Sequence, residues 1–249
     1  MLFEQTKTII SFEANELSAW KIKVNNNQSE FEGKLKKTFT PESLVQVLTS
    51  LKTELKINSL RLLLDEEKTY LVLFDFPLKE TLDRNTIRQK AQELIPEFLE
   101  EGYFDWKQVS QDKINVRIQI LAVSKNYLLP IQQAFKKAGL TIEAYEPISF
   151  ALARLTLKEK EPHFLIYYKG NQIILCAAFQ GQVFEVITFT NPVLIAEKTS
   201  QLAAFLKEKW QIEIRKTISA NLDPVLGLAM KNLKGKDEQV LNLNPPAVK

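Results

Sequence analysis

One order of predicted secondary structure occurs twice in this chain, and the repeat constrains the fold more than any other feature. Each copy has three predicted strands, joined by short polar turns and followed by an amphipathic helix. The first copy begins at Thr8–Phe12 and the second begins about 160 residues later at Phe164–Tyr168, which indicates that one architectural unit is used twice. Each helix starts with a capping residue and proline, Thr40-Pro41 and Asn191-Pro192. The sequence therefore predicts two related α/β half-domains, each built on a mixed sheet.

A second αβ segment lies between the two copies. A strand at Thr69–Phe76 and a helix capped by Asp83 precede an antiparallel pair of strands around Gln111-Asp112-Lys113. The next helix ends at Gly139. Because proline is disfavoured inside a helix, we expect its regular part to begin at Pro130. This segment is predicted to be a subdomain inserted into the first half-domain.

Composition excludes several classes of function. A hydrophobic content of 45% with 25% charged residues is typical of globular domains. The net charge of +3 is spread without a basic stripe, so we expect no nucleic-acid partner. The single cysteine, Cys176, excludes an internal disulfide and a thiolate metal cluster and is predicted to be buried. The single histidine, His163, excludes His-based triads and multi-His metal sites, and we interpret it as a strand-edge residue. No apolar run approaches the roughly 20 residues that span a bilayer, so this chain is predicted to have no membrane span.

Five short motifs occur in a recognisable order: Leu94-Ile95-Pro96, Asp105-Trp106, Lys137-Ala138-Gly139-Leu140, Glu146-Pro147 and Leu226-Gly227-Leu228-Ala229. With this order and spacing, the chain resembles the type IV pilus assembly protein PilM family. It is more distantly similar to the cytoplasmic part of GspL from type II secretion, and to the division protein FtsA. The resemblance implies an α/β, actin-like (ribonuclease-H-like) fold of duplicated mixed-sheet half-domains with an inserted FtsA/PilM-type αβ subdomain.

The resemblance also implies a division of the chain. Residues 1–66 and 140–161 would form the first half-domain (1A), and 67–139 the inserted subdomain (1C-like). Residues 162–231 would form a second, reduced half-domain (2A-like), and 232–249 a flexible tail. The charged stretch Lys158–Pro162 is the predicted boundary between the halves.

The nucleotide pocket that such a fold implies is degenerate in this sequence. An actin-like ATPase holds phosphates with a tight Asp-x-Gly turn in each half, where glycine lets backbone N–H groups approach closely. The first turn has Glu13 and Asn15 but no glycine, and the second keeps Gly170 but has Tyr168 at the expected aspartate position. The interval from Trp210 to Leu226, where the family has a Gly-Gly turn, contains no glycine. We therefore expect no catalytic residue, no metal ligand and no cofactor. One alternative stays open: Glu13 would hold Mg²⁺ through water, giving an ATPase with weak binding of ATP.

The resemblance implies a scaffold that binds the cytoplasmic tail of a bitopic inner-membrane protein of PilN type. The predicted contact residues lie in the inserted subdomain: Arg88, Trp106, Lys125 and Tyr127. The basic helix face that carries Arg84, Arg88 and Lys90 is either ordinary solvated surface or a docking site for an acidic partner. Pilus motor or platform proteins and a second copy of the chain are further expected partners. The implied location is cytoplasmic and peripheral to the inner membrane. A cell-division-type polymer former is a third hypothesis.

The tail contains a segment that resembles the Asn-Leu-Leu-Pro-type start of PilN: Leu241, Asn242, Leu243 and Pro245. It differs in having Asn244 where that family prefers leucine. Three interpretations follow. The segment docks as an extended peptide, in cis or onto a neighbouring copy; the chain is part of a PilM–PilN fusion that continues beyond Lys249; or the segment is a disordered exit tail.

Overall fold

The computed structural model describes residues 5–25, 28–80, 82–97, 99, 103–219 and 223–230. Two short 3₁₀ turns, Glu66–Lys68 and Pro192–Leu194, accompany the strands and helices. In chain order these elements are β1 (Gln5–Glu13), β2 (Glu16–Asn25), β3 (Gln28–Thr38), α1 (Leu44–Leu55), β4 (Ser59–Leu64), β5 (Thr69–Pro77), α2 (Arg84–Gln92), β6 (Phe104–Gln111), β7 (Asn115–Val123), α3 (Lys125–Lys137), β8 (Thr141–Pro147), α4 (Ile148–Leu155), β9 (His163–Lys169), β10 (Gln172–Phe179), β11 (Gln182–Phe189), α5 (Ile195–Trp210), β12 (Lys216–Ser219) and α6 (Pro224–Ala229).

The first sheet has five strands in the order β3-β2-β1-β4-β8. Strands β1 to β3 are antiparallel neighbours, whereas β4 runs parallel to both β1 and β8. The centre of the sheet is closed to solvent, because Ile9, Ile10 and Leu62 are fully buried. Helix α3 covers one face, where the Phe12 and Phe135 rings meet edge to face at 6.2 Å. Because Ile9 and Ile10 are adjacent in β1 and point to opposite faces, side chains on both faces of the sheet are buried at its centre.

The second sheet repeats this arrangement with four strands in the order β11-β10-β9-β12. Strands β9 to β11 are antiparallel, and β12 runs parallel to β9, as β4 does to β1. Helix α4 packs against β10 and β11 and is buried from Ile148 to Arg154. The predicted duplication is therefore confirmed for four strand positions. The fifth strand, β8, has no counterpart in the four-stranded sheet that the described residues form.

The predicted inserted segment forms a third sheet, in the order β5-β7-β6, with α2 on one face. Alternate residues of the central strand β7 point at α2, which is the pattern of a strand buried on that face. The core between sheet and helix consists of Phe74, Phe76, Ile87, Ala91, Ile95, Leu99, Phe104, Val116, Ile118, Ile120 and Ala122. Asp83 caps α2 as predicted, since its carboxylate accepts a hydrogen bond from Thr86 N at 2.9 Å.

The internal contacts of the chain define two compact units. One contains the described residues of 1–147 together with 228–230, and the other contains the described residues of 148–227. Helix α4 thus belongs with the second sheet, whereas the resemblance grouped 140–161 with the first half-domain. The division into 1A, 1C-like and 2A-like parts stays a prediction.

Three local predictions are wrong. Helices α1 and α5 begin at Leu44 and Ile195, so Thr40-Pro41 and Asn191-Pro192 lie before the helices that they were predicted to start. Helix α3 begins at Lys125, and Pro130 lies inside it. Because Pro130 has no backbone N–H, the helix loses only the hydrogen bond to Asn126 O. Both residues are exposed, so water can donate a hydrogen bond to that carbonyl.

His163 was predicted to lie at a strand edge, but it is fully buried. Its Nδ1 lies 2.9 Å from Glu161 O, and its Nε2 lies 2.8 Å from Thr156 Oγ1. Both ring nitrogens thus have partners, which permits burial of a polar ring.

Two other predictions concern burial and membrane crossing. Cys176 is fully buried in β10, as predicted. In the part of the chain that the structure describes, no helix is both long enough and apolar enough to cross a bilayer.

Candidate functional site

The turn between β1 and β2 contains only Ala14 and Asn15, because Glu13 pairs directly with Glu16. Ala14 has a φ of 49°, in the left-handed region where a Cβ atom is disfavoured. The carbonyl of Asn15 accepts a hydrogen bond from Phe39 N at 2.9 Å, which ties the turn to the end of β3.

The turn between β9 and β10 has the same construction. Lys169 pairs with Gln172, so Gly170 and Asn171 form the turn, and Gly170 has a φ of 55°. By strand register, Ala14-Asn15 is equivalent to Gly170-Asn171, and Glu13 is equivalent to Lys169. The first half of the chain therefore places alanine where the second half keeps glycine. Tyr168, one residue earlier, is 55% exposed.

The residues of the first turn do not fit a nucleotide with its magnesium ion. Glu16 Oε1 accepts a hydrogen bond from Lys36 Nζ at 2.5 Å, and this bond lowers the pKa of Glu16. Glu13 is exposed in the same turn, and a carboxylate repels phosphate oxygens. Over the described ranges, no group of three or more His, Cys, Asp or Glu side chains is arranged to hold a metal ion. The first turn thus lacks both the glycine and the charge that a phosphate grip requires.

If the two turns are equivalent, two opposite substitutions should change the free energy of unfolding in opposite directions. Replacing Ala14 by glycine should raise the free energy of unfolding by about 0.5–1 kcal/mol, because left-handed strain is relieved at some entropic cost. Replacing Gly170 by alanine should lower it by about 1 kcal/mol. Urea unfolding of both variants measures the effect. Shifts of the same sign in both variants would contradict the equivalence of the two turns.

The predicted contact residue Trp106 lies on β6 and packs against the core between the inserted sheet and α2. On the neighbouring face of α2, Arg84 makes contacts within the inserted sheet. Arg84 Nη2 donates to Phe104 O at 2.9 Å, and the guanidinium lies 4.4 Å from the centre of the Phe104 ring. Its Nη1 is 3.6 Å from the Asp105 carboxylate. Of the basic residues predicted for this face, Arg84 therefore stabilises the subdomain.

The four predicted contact residues have different surroundings. Arg88 is half-buried on α2, and no ion pair of Arg88 is found within the described ranges. Lys125 and Tyr127 lie in the first turn of α3. Burial raises the pKa of Tyr127 to about 12, and its hydroxyl lies at the backbone N–H of Asp65. Tyr127 therefore packs against the end of β4, and its hydroxyl is largely closed to a partner.

Sequence reasoning missed a cleft between β11 and α5. The helical spacing predicts that Phe205 faces inward with Leu202. Leu202 is buried, but Phe205 is 37% exposed and lines an open cleft of about 530 Å³. The signal available in the sequence was the near absence of charge from Gln182–Phe189, which is unusual for a strand at the edge of a sheet.

The two related sheets and the solved structures described next define the fold class, which is an actin-like α/β fold. Among solved structures the chain is similar to a PilM-PilN type IV pilus biogenesis complex, with a TM-score of 0.60 and 15% identity. The match covers 83% of this chain and 66% of that one, so this chain spans just under two thirds of it.

It is also similar to Cyto-EpsL, the cytoplasmic domain of an inner-membrane component of the type II secretion system of Vibrio cholerae. That match has a TM-score of 0.57 and 13% identity, and it covers 88% of this chain and 85% of that one. At these identities the comparisons establish the fold, and the predicted resemblance to PilM and to GspL-type proteins is confirmed at that level. No protein-family model and no curated protein sequence matches the chain.

Proposed function

We propose that this chain is a non-enzymatic scaffold of a type IV pilus or type II secretion-like assembly platform. It would lie on the cytoplasmic side of the inner membrane and bind the cytoplasmic tail of a bitopic membrane protein of PilN type. The fold it shares with the PilM-PilN complex and with Cyto-EpsL supports this proposal, because both names place their proteins in such machines.

The observation that carries the non-enzymatic part is the geometry of the first turn. Ala14 replaces the glycine of the equivalent second turn, and Glu13 and Glu16 flank it. Phosphoryl transfer depends on positioning and on positive electrostatic potential around the phosphates, and this turn supplies neither. No cofactor is therefore proposed.

A second candidate function, weak nucleotide binding, is favoured by Gly170, which keeps a positive φ in the second turn. Thermal unfolding with and without millimolar Mg-ATP distinguishes the candidates. We expect no change, whereas a ligand at 100 times its Kd would add roughly 2.7 kcal/mol to the free energy of unfolding. A saturable stabilisation by Mg-ATP that is lost in Gly170→Val would support nucleotide binding and contradict the absence of a cofactor.

The partner surface is proposed to include Arg88 and Trp106 on the α2 side of the inserted sheet, with Lys125 nearer the start of α3. Reversing the charge in Arg88→Glu should weaken binding of a labelled PilN-type Asn-Leu-Leu-Pro peptide about fivefold, measured by fluorescence anisotropy. Arg215→Glu is the matched control, since Arg215 is 75% exposed in the other unit. Equal losses in the two variants would indicate a general charge effect and contradict the assignment.

The tail segment with Leu241, Asn242, Leu243 and Pro245 lies outside the described residues. Its docking, in cis or in trans, stays a proposal, as does continuation into a membrane segment. An unlabelled peptide of residues 236–249 should compete with the PilN-type peptide if both occupy one groove. Motor or platform proteins and a second copy of the chain also stay predicted partners.

A further inference from the structure

A polar pocket of about 280 Å³ lies beside the beginnings of β1 and β4, in the unit that contains the first sheet. Thr8 of β1, Lys21 of β2 and Ser59 of β4 line it. The turn Ala14-Asn15 closes the other end of β1, about 20 Å from Thr8 at the rise of an extended strand. The pocket is therefore separate from the degenerate nucleotide turn. Its volume is slightly below the roughly 300–1,000 Å³ of pockets for drug-sized ligands, so it suits a smaller ligand.

Positive charge predominates in this pocket. Lys7, Lys21 and Lys56 line it, together with a single carboxylate, Glu143. A cleft with an excess of one charge raises the local concentration of ligands of the opposite charge. Threonine and serine hydroxyl groups in the lining are further hydrogen-bond donors. The pocket therefore favours an anion that accepts several hydrogen bonds.

The carboxylate of Glu143 already has partners within the protein. Its Oε1 accepts a hydrogen bond from Ser59 Oγ at 2.5 Å. Its Oε2 lies 3.7 Å from Nε of Arg61, which is buried, and 3.9 Å from Lys7 Nζ. Glu143 therefore does not use the charges of the other two lysines of the pocket.

Those two lysines, Lys21 and Lys56, make no hydrogen bond or ion pair through their ammonium groups within the described residues. Lys21 pairs with Thr8 in the register of β1 and β2, so these two side chains lie on the same face of the sheet. Lys56 ends α1 with a φ of 54°, and the chain turns there towards β4. Two unpaired positive charges thus border one pocket from different elements.

Thr8 supplies an uncharged donor in the same place. It is only 5% exposed, and its hydroxyl makes no hydrogen bond within the part of the chain that the structure describes. Buried hydroxyl groups usually have a hydrogen-bond partner. A ligand oxygen in the pocket would supply this partner.

The C-terminal end of α1 also borders the pocket, and a helix C-terminus by itself disfavours an anion. At this end, however, Lys52 O accepts hydrogen bonds from the backbone N–H groups of Lys56 and Ile57. The ammonium group of Lys56 adds a positive charge directly after the last turn. The helix end therefore does not prevent an anion from binding.

We propose that this pocket binds a phosphate group, which belongs either to a small phosphorylated molecule or to a phospholipid head group. Lys21 and Lys56 balance its charge, and Thr8 donates a hydrogen bond to one of its oxygens. A phosphate fits better than a carboxylate, because its two charges match the two unpaired lysines and it has three acceptor oxygens. This inference does not depend on the proposed scaffold function, and the pocket shares no residue with the proposed partner surface.

The probe is inorganic phosphate, titrated at pH 7 into the full chain labelled with ¹⁵N. Sodium chloride at the same ionic strength is the control, because general screening acts equally in both titrations. Phosphate should produce saturable chemical-shift changes at the amides of Thr8, Lys21 and Lys56 that chloride does not reproduce. If these amides do not shift, or shift equally in both titrations, the proposal is wrong.

Three variants test the assigned residues. Lys21→Gln and Lys56→Gln should each weaken phosphate binding about fivefold. Lys113→Gln is the matched control, since Lys113 is exposed and makes no hydrogen bond or ion pair among the described residues. Thr8→Val should also weaken binding without lowering stability in urea, because no hydrogen bond within the protein is lost. An equal loss in Lys113→Gln would overturn the site, because it would show a general charge effect.

Vesicle flotation identifies the source of the phosphate group. The full chain is mixed with vesicles of phosphatidylglycerol or of phosphatidylcholine. Flotation with phosphatidylglycerol alone that is lost in Lys56→Gln but kept in Lys113→Gln would support the pocket and assign it to a lipid head group. Phosphate binding without flotation would support the pocket and assign it to a small soluble molecule. Flotation that is insensitive to Lys56→Gln, together with no phosphate binding, would overturn the proposal.

Discussion

Replacement of Gly227 by alanine is expected to lower the free energy of unfolding by at least about 3 kcal/mol, at the upper end of what overpacking costs. A Cβ atom on Gly227 would lie 1.9 Å from Ala151 O and 2.7 Å from Ala151 C. Both are backbone atoms of α4, and Ala151 is fully buried, so no side chain can rotate away. Helix α6 or α4 would have to shift as a whole.

Urea unfolding measures this effect, and Gly33→Ala is the matched control. A Cβ atom on Gly33 meets nothing within 4 Å, so alanine there should leave stability unchanged or slightly higher. If Gly227→Ala unfolds at the same urea concentration as the wild-type chain, the close approach of α6 to α4 is wrong.

Arg61→Met should cost about 3 kcal/mol of stability, because it removes a buried charged donor from two backbone carbonyls. Arg61 is 3% exposed. Its Nη1 donates to Leu228 O at 2.7 Å and to Ala229 O at 2.9 Å, at the end of α6, where helix carbonyls lack intrahelical partners. Its Nε lies 3.7 Å from a Glu143 oxygen. Methionine fills a similar volume, so the loss should reflect mainly the hydrogen bonds.

Two further variants test this explanation. Arg61→Lys keeps the charge but loses the planar fork, and an intermediate loss is expected. Arg215→Met removes an exposed arginine whose ion pair with Glu213 should contribute little. A loss in Arg215→Met as large as in Arg61→Met would show that the effect does not come from the buried hydrogen bonds.

Local patterns in the sequence were sufficient for the order of elements. The segments Thr8–Phe12 and Phe164–Tyr168 are rich in β-branched and aromatic residues and mark equivalent strands, β1 and β9, because strand propensity depends on residue type and near neighbours. The cap at Asp83 also acts locally, and its carboxylate accepts the expected hydrogen bond from Thr86 N. Asn191 accepts a hydrogen bond from Val193 N, but it caps the 3₁₀ turn Pro192–Leu194 and not α5. The motif Leu226-Gly227-Leu228-Ala229 was recognisable in the sequence. The sequence did not show why glycine is needed there, which is the close approach of Gly227 to the backbone of Ala151.

Contacts between different elements and loops decided what the sequence missed. His163 is polar, yet Thr156 Oγ1 and Glu161 O satisfy both ring nitrogens and permit its complete burial. Phe205 follows the inward helical spacing, but the position of α5 beside β11 leaves it half-exposed over a cleft. Periodicity assigns a side chain to a face of its own element and says nothing about how fully the neighbouring element covers that face.

The sequence by itself determined the repeated α/β order, the inserted segment and the loss of glycine from the first turn, because each depends on residue type and near neighbours. Only the tertiary structure decided that Ala14 and Gly170 are equivalent, that Glu185 lines a cleft between β11 and α5, and that β11 is the outer strand of the sheet formed by the described residues. These features depend on strand register and helix packing, which backbone hydrogen bonds and side-chain volumes from distant parts of the chain set together.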